Sequence, residues 1–275
     1  TIDYLNNPLP TVTNPDGSYK FENLMPGRYY VNFDVGTLGP DVYYTTYENI
    51  NGVSLDATDS DINDNNDSDT TQFLSSGMMD CTLDAGYFQP VSIGDTAWVD
   101  VNINGLQDPM EPGLSGITVT AYYFNPVTMA WEEVTQDIDG NPVMPQVTDV
   151  NGRYKFENLP PGQYHVQFNS GGIPTTLEDV GGDDLLDSDV NEMELSDTLT
   201  VFSGTMDCSF DAGYQGLDYG DLPDEYLTTE GASSGTAPKH VMRDGKFLGS
   251  LIDQDNDGQP TADGDGDDVT GSPYI

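Results

Sequence analysis

Hydrophobic and polar residues alternate along several short segments of the chain. Tyr164, Val166 and Phe168 alternate with polar neighbours, and the segments "YYVNF" from Tyr29 and "ITVTAYYF" from Ile117 follow a similar two-residue period. This period is typical of β-strands that bury one face. Asp-Gly, Asn-Gly and Pro-Gly pairs separate such segments and favour tight turns. The pattern predicts an all-β protein built from antiparallel β-sandwiches, with no long amphipathic helix.

An internal repeat divides the chain into domains. The segment "NPDGSYKFENLMPGRYYVNFD" recurs as "DVNGRYKFENLPPGQYHVQFN", and "MMDCTLDAGY" recurs as "TMDCSFDAGY". We therefore predict a partial sandwich over 1–89, a complete sandwich over 90–216 and a partial β-rich, Gly- and Asp-rich domain over 217–275. The first domain has no counterpart of the first strands of the second. Either those strands lie upstream in the parent protein, or a neighbouring subunit supplies a strand and builds a homopolymer by strand complementation.

The charge balance narrows the classes of partner. The 275 residues include 48 Asp and Glu against 7 Lys and Arg, a formal net charge of -41. Such a charge repels phosphates, so we expect no binding to nucleic acid or to anionic membranes. No apolar run reaches the roughly 18 residues of a membrane-spanning helix, so we expect no direct membrane insertion. A compact fold with this charge favours neutralisation by divalent cations.

The segment "DVNINGLQDPME" has the ligand spacing of a calcium loop. Counted from its first Asp, oxygen donors fall at the EF-hand positions, and Gly105 stands where such a loop turns sharply. The predicted ligands are Asp100, Asn102, Asn104, Asp108 and Glu111, with the backbone carbonyl of Leu106. The alternative is a tight turn at Gly105 whose acidic neighbours are solvated.

Three further acidic segments are candidate calcium sites. Crowded carboxylates repel one another, and a bound cation relieves that repulsion. In the segment that begins at Asp253, the residue at position 12 is Gly264, so neighbouring aspartates must substitute for the missing bidentate acid. A solvated acidic loop is the alternative in each case. The candidate ligands are Asp183, Asp184, Asp187 and Asp189 in the second domain, Asp56, Asp59 and Asp61 in the first, and Asp253, Asp255, Asp257, Asp263 and Asp265 in the third.

Several motifs together resemble a known family of surface proteins. "IGDTAWVDVNINGLQDPMEPGLSGITVTAYY", "TDVNGRYKFENLPPGQYHVQF", "GGDDLLDSDV" and "TMDCSFDAGYQG" are similar to the B-type repeats of serine-aspartate-repeat (Sdr) surface adhesins, over about residues 14–216. The resemblance implies tandem Greek-key sandwiches of the collagen-adhesin B type, which are immunoglobulin- and prealbumin-like. It also implies calcium-dependent rigid spacers on a cell surface, with both the "DVNINGLQDPME" loop and the "DSD" segment binding Ca²⁺. The segment from "YGDLPDEYL" to the acidic run near the end resembles a GEVED-type domain of secreted bacterial proteins.

Two function classes follow from these observations. The first is a non-enzymatic extracellular structural module, secreted or on a cell surface, that contacts neighbouring domains of the same protein. The resemblance to collagen-adhesin B-type domains implies that an isopeptide bond would join an asparagine to a lysine on an early strand. Because no lysine lies between residues 90 and 153, we expect no such bond, and calcium would supply the stiffness. The second is a ligand- or carbohydrate-binding adhesin module, which would require an exposed aromatic platform around Trp98 or Trp131. No phosphate loop, dinucleotide fingerprint or nucleophile elbow favours an enzyme.

Overall fold

The computed structural model describes residues 9–37, 43–48, 59–219 and 239–241. Within these ranges the protein contains strands and one short 3-10 turn, Val35–Thr37, and no α-helix, which confirms the predicted all-β class. No helix in the described residues is long and apolar enough to span a bilayer. The strands are β1 Tyr44–Thr45, β2 Tyr87–Phe88, β3 Val91–Ile93, β4 Ala97–Asp100, β5 Thr118–Asn125, β6 Ala130–Glu133, β7 Gln146–Val147, β8 Phe156–Leu159, β9 Gly162–Asn169, β10 Leu199–Val201, β11 Met206–Asp207, β12 Ala212–Gln215, β13 Leu217–Tyr219 and β14 Lys239–Val241.

The chain forms two compact units. The first comprises Thr1–Pro90 and Pro126–Met129, and the second comprises Val91–Asn125 and Ala130–Ile275. In the first unit β1 pairs antiparallel with β2, and isolated bridges such as Gly27 to Leu74 connect the remaining segments. Its buried hydrophobic side chains in the described part of the chain are Val31 and Ile62. So few buried apolar groups contribute only a small hydrophobic stabilisation.

The second unit is a β-sandwich. One antiparallel sheet has the order β10-β9-β5-β6, and β7 also pairs with β5. On the other side β3 lies between β8 and β11, and β4 pairs with β12; the pairs β3–β11 and β4–β12 are parallel. β13 and β14 form a separate antiparallel pair. Because β3 and β4 both pair with strands from the end of the domain, the first and last strands of the sandwich are held together.

The alternating residues meet in one core. Tyr164, Val166 and Phe168 are each at most 1% exposed, whereas His165 and Gln167 between them are only partly buried. Residues from both sides of the sandwich join them, including Ile93 from β3 and Val119 from β5. Each fully buried side chain of this kind contributes about 1.5 to 3 kcal/mol of hydrophobic stabilisation. The two-residue period therefore identified the buried face of β9 correctly.

Two glycines allow neighbouring segments to pack closely against β4. A Cβ at Gly113 would lie 1.9 Å from the carbonyl oxygen of Asn151, and one at Gly152 would lie 2.0 Å from that of Ala97. Ala97 exchanges backbone hydrogen bonds with this region, donating to Gly152 and accepting from Leu114. Since all four residues of β4 are buried, the strand is fixed on both faces. It ends at Asp100, where the predicted calcium loop begins.

Candidate metal site

Asp100 anchors the start of the loop from inside the protein. Its side chain is fully buried, and Oδ1 accepts the N–H of Asn104 at 3.2 Å. Oδ2 accepts the N–H of Gly105 at 2.7 Å and the hydroxyl of Thr176. Gly105 has φ +82, and a Cβ there would lie 2.7 Å from a methyl group of Val180. Both the backbone conformation and the available space therefore require glycine at this turn.

Glu111 closes the other end of the loop. Its Oε1 accepts the N–H of Val101 at 2.8 Å, and its Oε2 accepts the N–H of Asp108 at 3.0 Å. Burial raises the pKa of Glu111, and repulsion from Asp100 and Asp108 raises it further, whereas the two backbone hydrogen bonds lower it. The carboxylate thus joins the two ends of the loop although its negative charge is destabilised there.

The side chains in the middle of the loop converge on Asp108. Its Oδ2 accepts one amide N–H from Asn102 at 2.9 Å and another from Asn104 at 3.0 Å. The amide oxygens of the two asparagines accept backbone N–H groups, those of Asn104 and Leu106 respectively. Predicted ligand positions 3, 5 and 9 therefore lie together. Their oxygens bond to N–H groups of the loop itself.

The loop pairs with the second acidic segment, a contact that spacing along the chain did not indicate. Leu106 and Asp187 form an antiparallel bridge. Gln107 donates its N–H to the carbonyl of Leu186 at 2.6 Å, and Ser188 donates to the carbonyl of Gly105 at 3.3 Å. The two candidate calcium segments of this domain are therefore adjacent.

Buried carboxylates follow this bridge along the chain. Asp187 and Asp189 are 2% and 7% exposed, and Asp211 is 2% exposed. Asp189 accepts the N–H of Asp211 at 2.7 Å through Oδ2, and Asp211 accepts the N–H of Thr96 at 2.9 Å through Oδ1. Burial, reinforced by repulsion from neighbouring aspartates, raises the pKa of Asp189 to about 8 and that of Asp211 to about 9.

In the described part of the chain, no basic side chain forms an ion pair with these buried carboxylates. The ion pairs found there are Lys20 with Glu22 and Lys155 with Glu157, both at the surface. Asp183 and Asp184 differ from Asp187 and Asp189 because they are exposed. They line an open cavity of about 640 Å³ together with Asp207 and Cys208.

The first unit repeats part of this arrangement. Asp61 donates its N–H to the carbonyl of Asp84 and accepts the N–H of Asp84 at 2.7 Å through Oδ2, as Asp189 does with Asp211. Ser60, which stands beside Asp59, accepts the N–H of Gly86, as Ser188 does with Gly213. Asp56 and the predicted ligands of the third domain, Asp253, Asp255, Asp257, Asp263 and Asp265, lie outside the described residues.

The donor chemistry and the geometry of the site have different implications for a metal. Every predicted ligand offers oxygen, the donor that hard cations such as Ca²⁺ prefer. Among the described residues, however, no three His, Cys, Asp or Glu side chains are grouped so that they could hold a metal ion. Sequence analysis also missed Thr176, whose hydroxyl bonds to Asp100 from far along the chain. No periodicity or spacing marks that residue, because only folding brings it to the loop.

Comparisons with known proteins agree with the repeat structure. The profile of the SdrD B-like domain matches residues 5–87 and 91–214. Serine-aspartate repeat-containing protein F of Staphylococcus epidermidis is 31% identical over 207 residues, which cover 74% of this chain and 11% of that protein. Serine-aspartate repeat-containing protein D of Staphylococcus aureus strain Newman is 33% identical over 206 residues, which cover 74% of this chain and 13% of that protein. The chain thus spans a small part of these relatives.

One further relative and two solved structures complete the comparison. A fibrinogen-binding protein of Staphylococcus epidermidis is 33% identical over 216 residues, 76% of this chain and 18% of that protein. The minor pilin of Streptococcus agalactiae has a TM-score of 0.30 at 9% identity, covering 55% of this chain and 66% of the pilin. A streptococcal ancillary pilin has a TM-score of 0.27 at 13% identity, covering 75% and 51%. Structural similarity this low does not bear on function.

Proposed function

Because the chain belongs to the SdrD B-like domain family, we propose that it is a non-enzymatic structural module, a rigid calcium-stabilised spacer within a bacterial surface adhesin or filament. The family is one of cell-surface proteins, and the chain is accordingly extracellular. Its partners are then the neighbouring domains of the same protein. The rigidity and its dependence on calcium are the parts that require an argument from the residues.

The observation that carries the proposal is the joining of two acidic segments at the bridge between Leu106 and Asp187. Within each segment the carboxylates repel one another, and burial adds a desolvation cost to those of Glu111, Asp187 and Asp189. A divalent cation bound by oxygen ligands would remove most of that cost. It would also tie the start of the domain, at β4, to the segment that follows β9.

The residues that would hold calcium divide into two sets. The loop set is Asp100, Asn102, Asn104, the carbonyl of Leu106, Asp108 and Glu111, and the second set is Asp183, Asp184, Asp187 and Asp189. In the loop set, rotation of the two asparagine amides would turn their oxygens toward Asp108, where their N–H groups now donate. The proposal extends to Asp56, Asp59 and Asp61 of the first unit, and to the acidic segment of the third domain.

Calcium would stabilise the fold by mass action. An ion that binds the folded state alone adds about 4 kcal/mol per site when free calcium exceeds the dissociation constant about 1,000-fold. In collagen-adhesin B-type domains that contain an isopeptide bond to a lysine, that covalent bond could supply the stiffness. Here Lys20 and Lys155 are ion-paired at the surface.

The direct test measures metal content and thermal unfolding of the same protein. Elemental analysis after dialysis against calcium should find bound calcium. Calorimetry should show that the midpoint temperature of unfolding falls by tens of degrees in EDTA and is restored when calcium is added. Magnesium at equal concentration is the control, because its strict octahedral geometry suits this flexible ligand set poorly. An unchanged transition in EDTA would contradict the proposal.

A further inference from the structure

An aromatic cluster lies on the outer face of the β9–β5–β6 sheet. Tyr122 and Phe124 come from β5, Trp131 from β6 and His165 from β9. Tyr122 stacks on His165 with ring centroids 5.0 Å apart, and Trp131 reaches across β5 to within 4.4 Å of the same imidazole. Phe124 meets Trp131 edge-on at 5.4 Å. The four rings form one continuous surface.

Cross-strand stabilisation accounts for part of this cluster. Tyr122 lies directly opposite His165, and Phe124 directly opposite Trp131, and aromatic pairs at such positions stabilise a sheet by about 0.2 to 1 kcal/mol each. Cross-strand pairing does not account for the choice of tryptophan at residue 131. This side chain lies on the face of the sheet opposite the core and leaves 39% of its surface in solvent. An exposed indole among packed rings is typical of a binding surface.

The charges around the cluster are of one sign. Glu132 and Glu133 follow Trp131 on β6 and are exposed, and the sequences of β5, β6 and β9 contain no lysine or arginine. Burial lowers the pKa of His165, so its imidazole is neutral at pH 7 and adds no positive charge. The chain as a whole carries -41 charges. Charge complementarity therefore selects a cationic ligand and disfavours an anionic one.

We propose that this face binds an arginine side chain of a partner protein, with the guanidinium stacked on the indole of Trp131 and paired with the carboxylate of Glu133. A cation over the face of tryptophan gains the largest cation–π attraction among the aromatic residues. Arginine fits better than lysine because its planar guanidinium stacks on a ring while its N–H groups remain free for a carboxylate. This site is separate from the calcium segments and does not depend on them.

The test uses the whole chain and a short peptide, acetyl-Gly-Arg-Gly-Arg-Gly-amide, in physiological salt. Isothermal titration calorimetry measures the affinity of the wild type and of every variant, including those that lack Trp131. In the wild type, where Trp98 is fully buried, a change in tryptophan fluorescence on binding also reports on Trp131. We expect the arginine peptide to bind at least tenfold tighter than the same peptide with citrulline, which has the same shape without the charge. We also expect Trp131→Ala to weaken binding about fivefold or more.

Matched variants separate this site from the general negative charge of the chain. Phe202→Ala removes an aromatic ring that is 70% exposed elsewhere in the same unit and should leave the affinity unchanged. Glu133→Gln should weaken binding roughly two- to fivefold, as an exposed ion pair does. Trp131→Phe, which keeps a ring, should bind with intermediate affinity and serves if Trp131→Ala does not fold.

Three outcomes would overturn the proposal. The first is equal affinity of the wild type, Trp131→Phe and Trp131→Ala for the arginine peptide. The second is equal affinity for the citrulline peptide. The third is binding of an uncharged oligosaccharide, cellohexaose, that requires Trp131 while the arginine peptide does not bind; that result would identify the aromatic surface as a carbohydrate site.

Discussion

Replacing Glu111 with glutamine separates the structural role of this side chain from its proposed role in calcium binding. The carboxylate accepts two backbone N–H groups, at 2.8 Å from Val101 and at 3.0 Å from Asp108. Glutamine keeps one acceptor and turns the other into a donor, so one hydrogen bond to a charged group is lost, at a cost of about 1.5 to 3 kcal/mol. Burial and repulsion from neighbouring carboxylates raise the pKa of Glu111 and so outweigh both hydrogen bonds in the metal-free loop.

The sign of the effect should therefore depend on calcium. In EDTA we expect Glu111→Gln to be at least as stable as the wild type, because the neutral amide escapes the burial and repulsion that raise the pKa of the acid. In saturating calcium we expect it to be less stable, because it loses a bidentate ligand. A hundredfold weaker affinity at one site would remove about 2.7 kcal/mol of the calcium-dependent stabilisation.

Urea denaturation of both proteins, in EDTA and in calcium, measures the four free energies of unfolding that are needed. Glu157→Gln is the matched control: Glu157 is paired with Lys155 at the surface and its side chain is 65% exposed, so the change should be below about 1 kcal/mol and the same in both buffers. If Glu111→Gln destabilises the domain equally in EDTA and in calcium, the carboxylate is only a backbone acceptor and the reasoning that assigns calcium to this loop fails.

Three further predictions concern the second unit. Gly113→Ala should destabilise it by several kcal/mol in urea denaturation, because the new Cβ would lie 1.9 Å from the carbonyl oxygen of Asn151; a loss below about 1 kcal/mol would show that the segments separate easily. In EDTA the free energy of unfolding should fall as pH rises from 5 toward 9. The pKa of Asp211 is raised from 3.8 to about 9, so over this range the folded state keeps a proton that the unfolded state has lost. Asp211→Asn should make the free energy of unfolding depend less steeply on pH, and an unchanged dependence would contradict this assignment. An NMR titration should give His165 a pKa below 6.5, because burial disfavours the charged imidazole. The fold favours the neutral imidazole, so the stability that His165 contributes is lost as pH falls. Trp131→Ala should return the pKa toward 6.5, and an unchanged pKa would mean that the indole does not desolvate the imidazole.

Local patterns were enough to predict the strands and the repeats. The alternation through Tyr164, Val166 and Phe168 identified a strand and its buried face, since side chains on a strand point to opposite faces in turn. The spacing from Asp100 to Glu111 likewise predicted a turn at Gly105 with oxygen-bearing side chains around it. Whether those oxygens bind calcium stays a prediction.

The tertiary structure decided which distant residues meet. Spacing along the chain does not reveal the bridge between Leu106 and Asp187 or the hydrogen bond that the hydroxyl of Thr176 donates to Asp100. Nor does it reveal the contact between the rings of Trp131 and His165. These contacts depend on strand order and register, which are set by how two sheets bury their apolar faces together.

The same physics explains the charges at the site. The sequence by itself determined that the chain is all-β, repeated and strongly acidic, because these properties follow from local periodicity and composition. Only folding decided that Asp189 and Asp211 are buried while Asp183 and Asp184 are exposed. Burial raises the pKa of Asp189 to about 8 and that of Asp211 to about 9. The cost of a charge depends on its distance from water and from other charges, and the packed structure fixes both distances.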